Sequence, residues 1–271
     1  MMNILSILIA ETIKSHQHNF HNKLIYFSLL IWPSLLFVTS YYSFKPFNLS
    51  ETSPLSKYMD VDDITLFLLT GYLAYIFFWS LVQSAWGMSH ERQAGTLELI
   101  FLSPVSRIAV MFSRAAGNLL EAVWLFTAFT FFMLILTGHA GDISWWNVPV
   151  GFILLSISAV IWGGFLNIVF LFSRDAGILF TLFEEPMQFF SGVRIPILAI
   201  PFWGKWIGLL FPLTYVLEIF RELILNGKSV IELALSISIL ISILTFLFGV
   251  SIILLKKAEK HAKETGNMVL F

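Results

Sequence analysis

The chain has 271 residues, a formal net charge of -1, 58% apolar and 12% charged residues, and no cysteine. Soluble domains carry about 25% charged residues, so this composition argues against a water-exposed globule and for an all-α polytopic membrane protein. It also excludes disulfide scaffolds, zinc-thiolate sites and cysteine nucleophiles, shows no basic footprint for nucleic acid, and runs in apolar blocks rather than the alternation of a membrane barrel.

Taken in order, residues 1–23 are not a secretory signal. The run Ile4–Ala10 has no positive segment before it and no convincing cleavage site after it. Ile4, Leu5, Leu8, Ile9 and Ile13 form a helical stripe, with Asn3, Glu11, Lys14 and His18 largely off it, which predicts an interfacial helix. His16, His18 and His21 suit one face only in part and lack a backing carboxylate, so they read as headgroup-level residues rather than a metal site.

A membrane-crossing helix needs about 20 predominantly apolar residues. Six spans are expected, at 24–42, 64–87, 108–138, 148–173, 177–191 and 230–255, all within one transmembrane domain covering 1–271. The apolar part of the third begins at Asn118. The fifth is short and carries Glu184, Glu185 and Pro186. Charges inside a span default to a functional hypothesis, here contact with a cationic substrate, a lining of the pathway, or pairing with Arg194 or Arg221. The plainer alternative is a helix that breaks near the outer boundary. Adjacent helical residues point about 100° apart, so both carboxylates are not expected to face one partner.

Residues 192–227, punctuated by Pro196, Pro201 and Pro212, read as an outer re-entrant or interfacial segment, with Trp203 and Trp206 as headgroup anchors. Within it, the run from Leu213 to Gly227 is an amphipathic helix. Ala159-x-x-x-Gly163 allows close packing in span four.

An even number of spans puts both termini on one side. With the termini inside, cytoplasmic segments hold ten Lys and Arg and outer segments six, the expected bias. The basic tail Lys256–Lys263 suits an anionic inner leaflet or simply stops transfer.

The most informative stretch is His90–Arg107, HERQAGTLELIFLSPVSR. Residues 90–103 read as a short amphipathic helix. Ser103 can then cap the next helix, with Pro104 at its first position. On residue types alone, Glu91, Arg92 and Glu98 suit a docking face and a solvated face equally well. Glu91, Arg92, Gly95, Thr96, Leu97, Glu98, then Ser103, Pro104, Val105, Ser106 and Arg107, resemble the coupling-loop signature of ABC-2 type transporter permeases. Ser191-Gly192, Pro196, Pro201 and the run Phe211–Tyr215 resemble that family's segment between spans five and six. Glu184 and Glu185 depart from the mostly uncharged fifth span expected there.

The resemblance implies a permease subunit in the plasma membrane of a bacterium, multi-pass, with both termini cytoplasmic and membrane lipid around it. It also implies a second permease chain, identical or related, and a cytosolic ABC ATPase subunit on each half. The residues 91, 92 and 95–98 would couple to that ATPase, and the substrate would be a hydrophobic or amphipathic compound moved outward.

Gly227-Lys228-Ser229 matches only the tail of a phosphate-binding loop, since the first glycine would fall at Glu222. The chain is therefore expected to bind no cofactor and to carry no catalytic residue, with ATP and Mg used by the partner ATPase. Two other classes remain open on the sequence. One is an ion-coupled secondary transporter using Glu184 and Glu185, the other a non-transporting membrane scaffold.

Overall fold

A computed structural model of the chain describes residues 4–19, 23–44, 64–93, 95, 102–172 and 176–265. Helix α1 spans Ile4–Asn19, α2 Lys23–Ser28, α3 Ile31–Phe44 and α4 Ile64–Gln93. Then follow α5 (Arg107–Gly117), α6 (Leu119–Thr137), α7 (Val148–Val169) and α8 (Ala176–Phe190). Last come α9 (Phe202–Gly208), α10 (Pro212–Ile224) and α11 (Ala234–Thr265). Among the described residues there is no strand, so the expected all-α polytopic class holds.

Local chemistry sets several boundaries. At Gly138, φ is +74° and its amide returns to the Leu134 carbonyl at 2.9 Å, closing α6. Only glycine takes that left-handed geometry without steric cost. Proline occupies the first turn of both α7 and α10, where no intrahelical donor is needed. The start of α5 differs from expectation. Ser103–Val105 form a bend, and Ser106, at φ −67° and ψ 113°, precedes the first helical residue. Pro104 disfavours helical geometry at Ser103, so the helix begins three residues later than the Ser103 cap implied.

Among the described residues, five segments are long and apolar enough to cross a membrane: Leu24–Phe44, Ile64–Met88, Arg107–Thr137, Trp145–Phe172 and Ala234–His261. The stretch expected as a further span at 177–191 folds as α8, with 15 residues. At 1.5 Å per residue it is about 22 Å long, short of a hydrocarbon core about 30 Å thick. It runs through Pro186 without ending there.

Helix α4 is the axis of the bundle. Of its most apolar 18-residue window, 83% is buried, against 17% for Leu24–Phe44 and 22% for α11. It packs against α3, α6, α7, α8 and α10. Tyr72, Phe77 and Phe78 from α4, Phe129 from α6 and Phe220 from α10 are fully buried in the main core. The more exposed helices α3 and α11 carry their apolar side chains outward, as a surface in contact with hydrocarbon requires. Helix α10 folds back into the bundle against α7, α4 and α11.

Candidate functional site: a charged collar at the loop

The loop that follows α4 and precedes α5 is held at both its ends by ion pairs. His90–Gln93, expected in a separate loop helix, instead form the last turn of α4. Glu91 therefore sits on a rigid 30-residue helix. Its carboxylate accepts from Arg114 Nη2 on α5 at 2.5 Å and from the Lys14 ammonium on α1. Arg114 Nε also lies 3.6 Å from Glu11 Oε2 on α1, and Arg114 Nη1 meets the Met88 sulfur. Arg114 is only 6% exposed. Charge-assisted, geometrically fixed contacts of this kind are stronger than neutral ones. Partial burial raises the Glu91 carboxyl, but the Arg114 and Lys14 charges outweigh it and hold the group below its ordinary value.

The helices carrying these charges approach closely. A Cβ on Gly117 would lie 3.1 Å from the Glu11 carbonyl carbon and oxygen, so glycine lets α1 lie directly on the end of α5. Beside it, Asn118 accepts from Ser15 Oγ at 2.5 Å and donates to the Ser80 carbonyl at 3.1 Å. That side chain ties α1 to α4 at the step between α5 and α6. On the opposite face, Gly163 of α7 leaves room for Ala115 and the Leu81 carbonyl. The Ala159-x-x-x-Gly163 pattern thus serves packing inside the chain. At the other end of the loop, Arg107 Nη1 lies 3.1 Å from Glu259 Oε1 on α11.

The remaining loop residues fall as follows. Gly95 is an exposed turn residue at φ +71°, a left-handed geometry suited to glycine. Arg92 is in the last turn of α4, but its side chain is outside the described residues, as are Thr96, Leu97 and Glu98 altogether. Sequence reasoning singled out Glu91 but missed Arg114, Lys14 and Glu11 around it, and missed Glu259 as the partner of Arg107. The i, i+3 spacing of Glu11 and Lys14 was the available signal.

A second polar group lies far from the loop. Glu184 is 5% exposed, and one of its oxygens accepts from the Tyr75 hydroxyl at 2.6 Å. The other is buried without a hydrogen-bond partner among the described residues. Tyr75 lies near the middle of the Ile64–Met88 span, so this carboxyl is deep in the bundle. Glu185 is exposed, and the two carboxylates diverge as helical geometry requires. No ion pair joins Glu184 to Arg194 or Arg221 among the described residues.

Arg221 instead donates to the carbonyls of Gly192 at 2.8 Å and Phe67 at 3.0 Å, and its guanidinium lies 3.6 Å from the centre of the Phe67 ring. It pins α10 and the 191–195 bend to the start of α4. His16 lies near Tyr26, and no metal-type cluster occurs among the described residues.

The bundle and its long apolar helices fit an integral, multi-pass membrane protein. Residues 7–253 match the family described as ABC-2 family transporter protein, and the chain belongs to that family, as the permease subunit of an ABC transporter. Such a subunit works in association with an ABC ATPase and a membrane partner. No curated protein matches the chain at a significant level.

Proposed function

We propose that the chain is one half of the membrane portion of an ATP-driven exporter. It pairs with a second permease chain, identical or related, and each half docks on a separate cytosolic ATPase that uses ATP and Mg. The end of the bundle that gathers α1, the loop and the end of α11 faces the cytoplasm of a bacterium, in keeping with the ten-to-six distribution of Lys and Arg. The observation that carries the coupling role is the brace on the loop. A segment that transmits force needs a rigid footing, and Glu91 on α4 is fixed by cations from two other helices.

In this scheme Glu91 anchors the loop. Arg92, Gly95, Thr96, Leu97 and Glu98 make or shape the contact with the ATPase. The chain itself holds no nucleotide. The substrate is a hydrophobic or amphipathic compound such as a drug, a lipid-like molecule or a peptide. Glu184 and Glu185 are contacts along its pathway, a role supported by the buried oxygen of Glu184 that has no hydrogen-bond partner among the described residues.

The test is purification of the tagged chain from its native membrane in mild detergent, with an ATPase assay and identification of co-eluting proteins. A P-loop ATPase at near-equal stoichiometry with vanadate-sensitive turnover is expected, and Gly95→Arg with Glu98→Lys should abolish that turnover's response to the permease. Absence of any ATPase both in detergent and after crosslinking in intact membranes would sink the proposal. Transport driven by a pH gradient alone and dependent on Glu184 would replace it with an ion-coupled carrier.

A further inference from the structure

Helix α5 is the first regular element after the loop, and it carries one arginine in its first residue and another two turns later. Arg114 gathers carboxylates from α1 and α4. Arg107 takes one from α11. Between them, Phe112 meets Phe248 of α11 edge to face at 5.1 Å. Gly164 makes that possible, because a Cβ there would stand 2.5 Å from the Phe112 ring.

Beneath these contacts lies a small apolar core formed by Met88, Met111, Ile168, Leu171, Leu255 and Ala258, separate from the main core. It joins the loop-side ends of α4, α5, α7 and α11. Elsewhere α11 is peripheral, with little of its span buried. A helix of 32 residues extends about 48 Å, so its last turns reach beyond the hydrocarbon to the level of the loop.

We infer that Glu259 is a positioning residue. Through Arg107 it ties the last span to α5, so that a displacement of the loop reaches α11 as well as α4. This rests on the coupling role proposed above. The pair is partly exposed, at 30% and 25% for its two side chains. A surface pair contributes little to stability. Its effect is directional: it fixes which part of α11 follows α5, while the small core beneath supplies cohesion.

The chain has no cysteine, so introduced cysteines are its only labelling sites. Spin labels on Leu102 and Ile153 report the loop against α7, and labels on Ile253 and Ile153 report α11 against α7. All three side chains are exposed. Distances are measured by pulsed dipolar spectroscopy in the full complex with its co-purified ATPase in nanodiscs, with labelled chain diluted by unlabelled chain. The nucleotide-free state is compared with the ATP–vanadate-trapped state.

Both distances are expected to change on trapping in the otherwise unaltered chain. Glu259→Arg should lose most of the Ile253 change and keep the Leu102 change, and Glu259→Asp should keep both. An undiminished Ile253 change in Glu259→Arg would overturn the inference, as would Glu259→Asp behaving like Glu259→Arg. A moving Leu102 with a static Ile253 in the unaltered chain would overturn it too, while leaving the coupling role of the loop intact. A static Leu102 would overturn both.

Discussion

Arg114 is nearly buried, yet it sits between two carboxylates that come from different helices. Removing one partner of such a group leaves the others desolvated without compensation, at about 1–3 kcal/mol. Arg114→Met should lower the thermal unfolding midpoint measured by circular dichroism in detergent, with Arg114→Lys recovering only part of the loss. The same contacts set a pH dependence. Because the Glu91 carboxyl is held below its ordinary value by the Arg114 and Lys14 charges, its contribution is present at neutral pH and is lost as pH falls through that lowered folded value, in the acid range below the ordinary carboxylate titration. The midpoint of the unaltered chain should drop on acidification in that range. Glu91→Gln should start lower and drop less, and parallel curves for the two would contradict the ion-pair account. At the far end, a Cβ on Gly71 would stand 2.2 Å from the Val193 carbonyl and 2.9 Å from Arg221 Nη2. Gly71→Ala should therefore cost about 1–3 kcal/mol, the range for overpacking a tight site, in the same unfolding measurement.

At the scale of elements, α1 owes its position to α5. Its outward face carries exposed Ile4, Leu5, Ile9 and Ile13, which suits a helix lying at a membrane interface. The face toward α5 carries Glu11, Lys14 and Ser15 in the contacts with Glu91, Arg114 and Asn118. Gly117→Leu should push α1 away from α5, since the added side chain meets Glu11 backbone at once. Hydrogen exchange over residues 4–19 should then speed up while exchange over α4 stays slow. Unchanged protection of α1 would show that its attachment lies elsewhere. Helix α8 makes the opposite case. It is shorter than any of the five long apolar segments, and its buried face presents Glu184 and Gln188, so tertiary contacts must supply what apolar length does not.

Across the whole molecule, the end opposite the loop is ringed by aromatic side chains. Trp146 is 94% exposed, and Trp145, Phe202, Trp203 and Trp206 are exposed as well. Tryptophans with an apolar body and one polar group settle at the membrane–water boundary. In reconstituted vesicles, a quencher attached at the lipid headgroup should quench a larger share of the fluorescence than one placed at the tail end. The difference should shrink in a variant with Trp146, Trp203 and Trp206 all changed to Phe. Equal quenching at both depths would place this ring away from the interface. The main core lies between that ring and the small core under the loop, and α4 runs through both.

Composition and apolar periodicity by themselves determined the helical membrane class, and they anticipated the N-terminal helix and the long apolar helices, because a bilayer demands long, uninterrupted apolar helices. The loop motif was legible too, since its residues lie in one short stretch. What only the tertiary structure decided is who meets whom across the chain. Lys14 and Glu91 are 77 residues apart, Tyr75 and Glu184 are 109 apart, and Phe67 and Arg221 are 154 apart. Periodicity along one helix carries no information about such partners. The pairing of Arg221 with backbone carbonyls rather than with Glu184 shows why: a guanidinium held at a helix junction takes whichever acceptors the fold brings within reach, and these are set by packing.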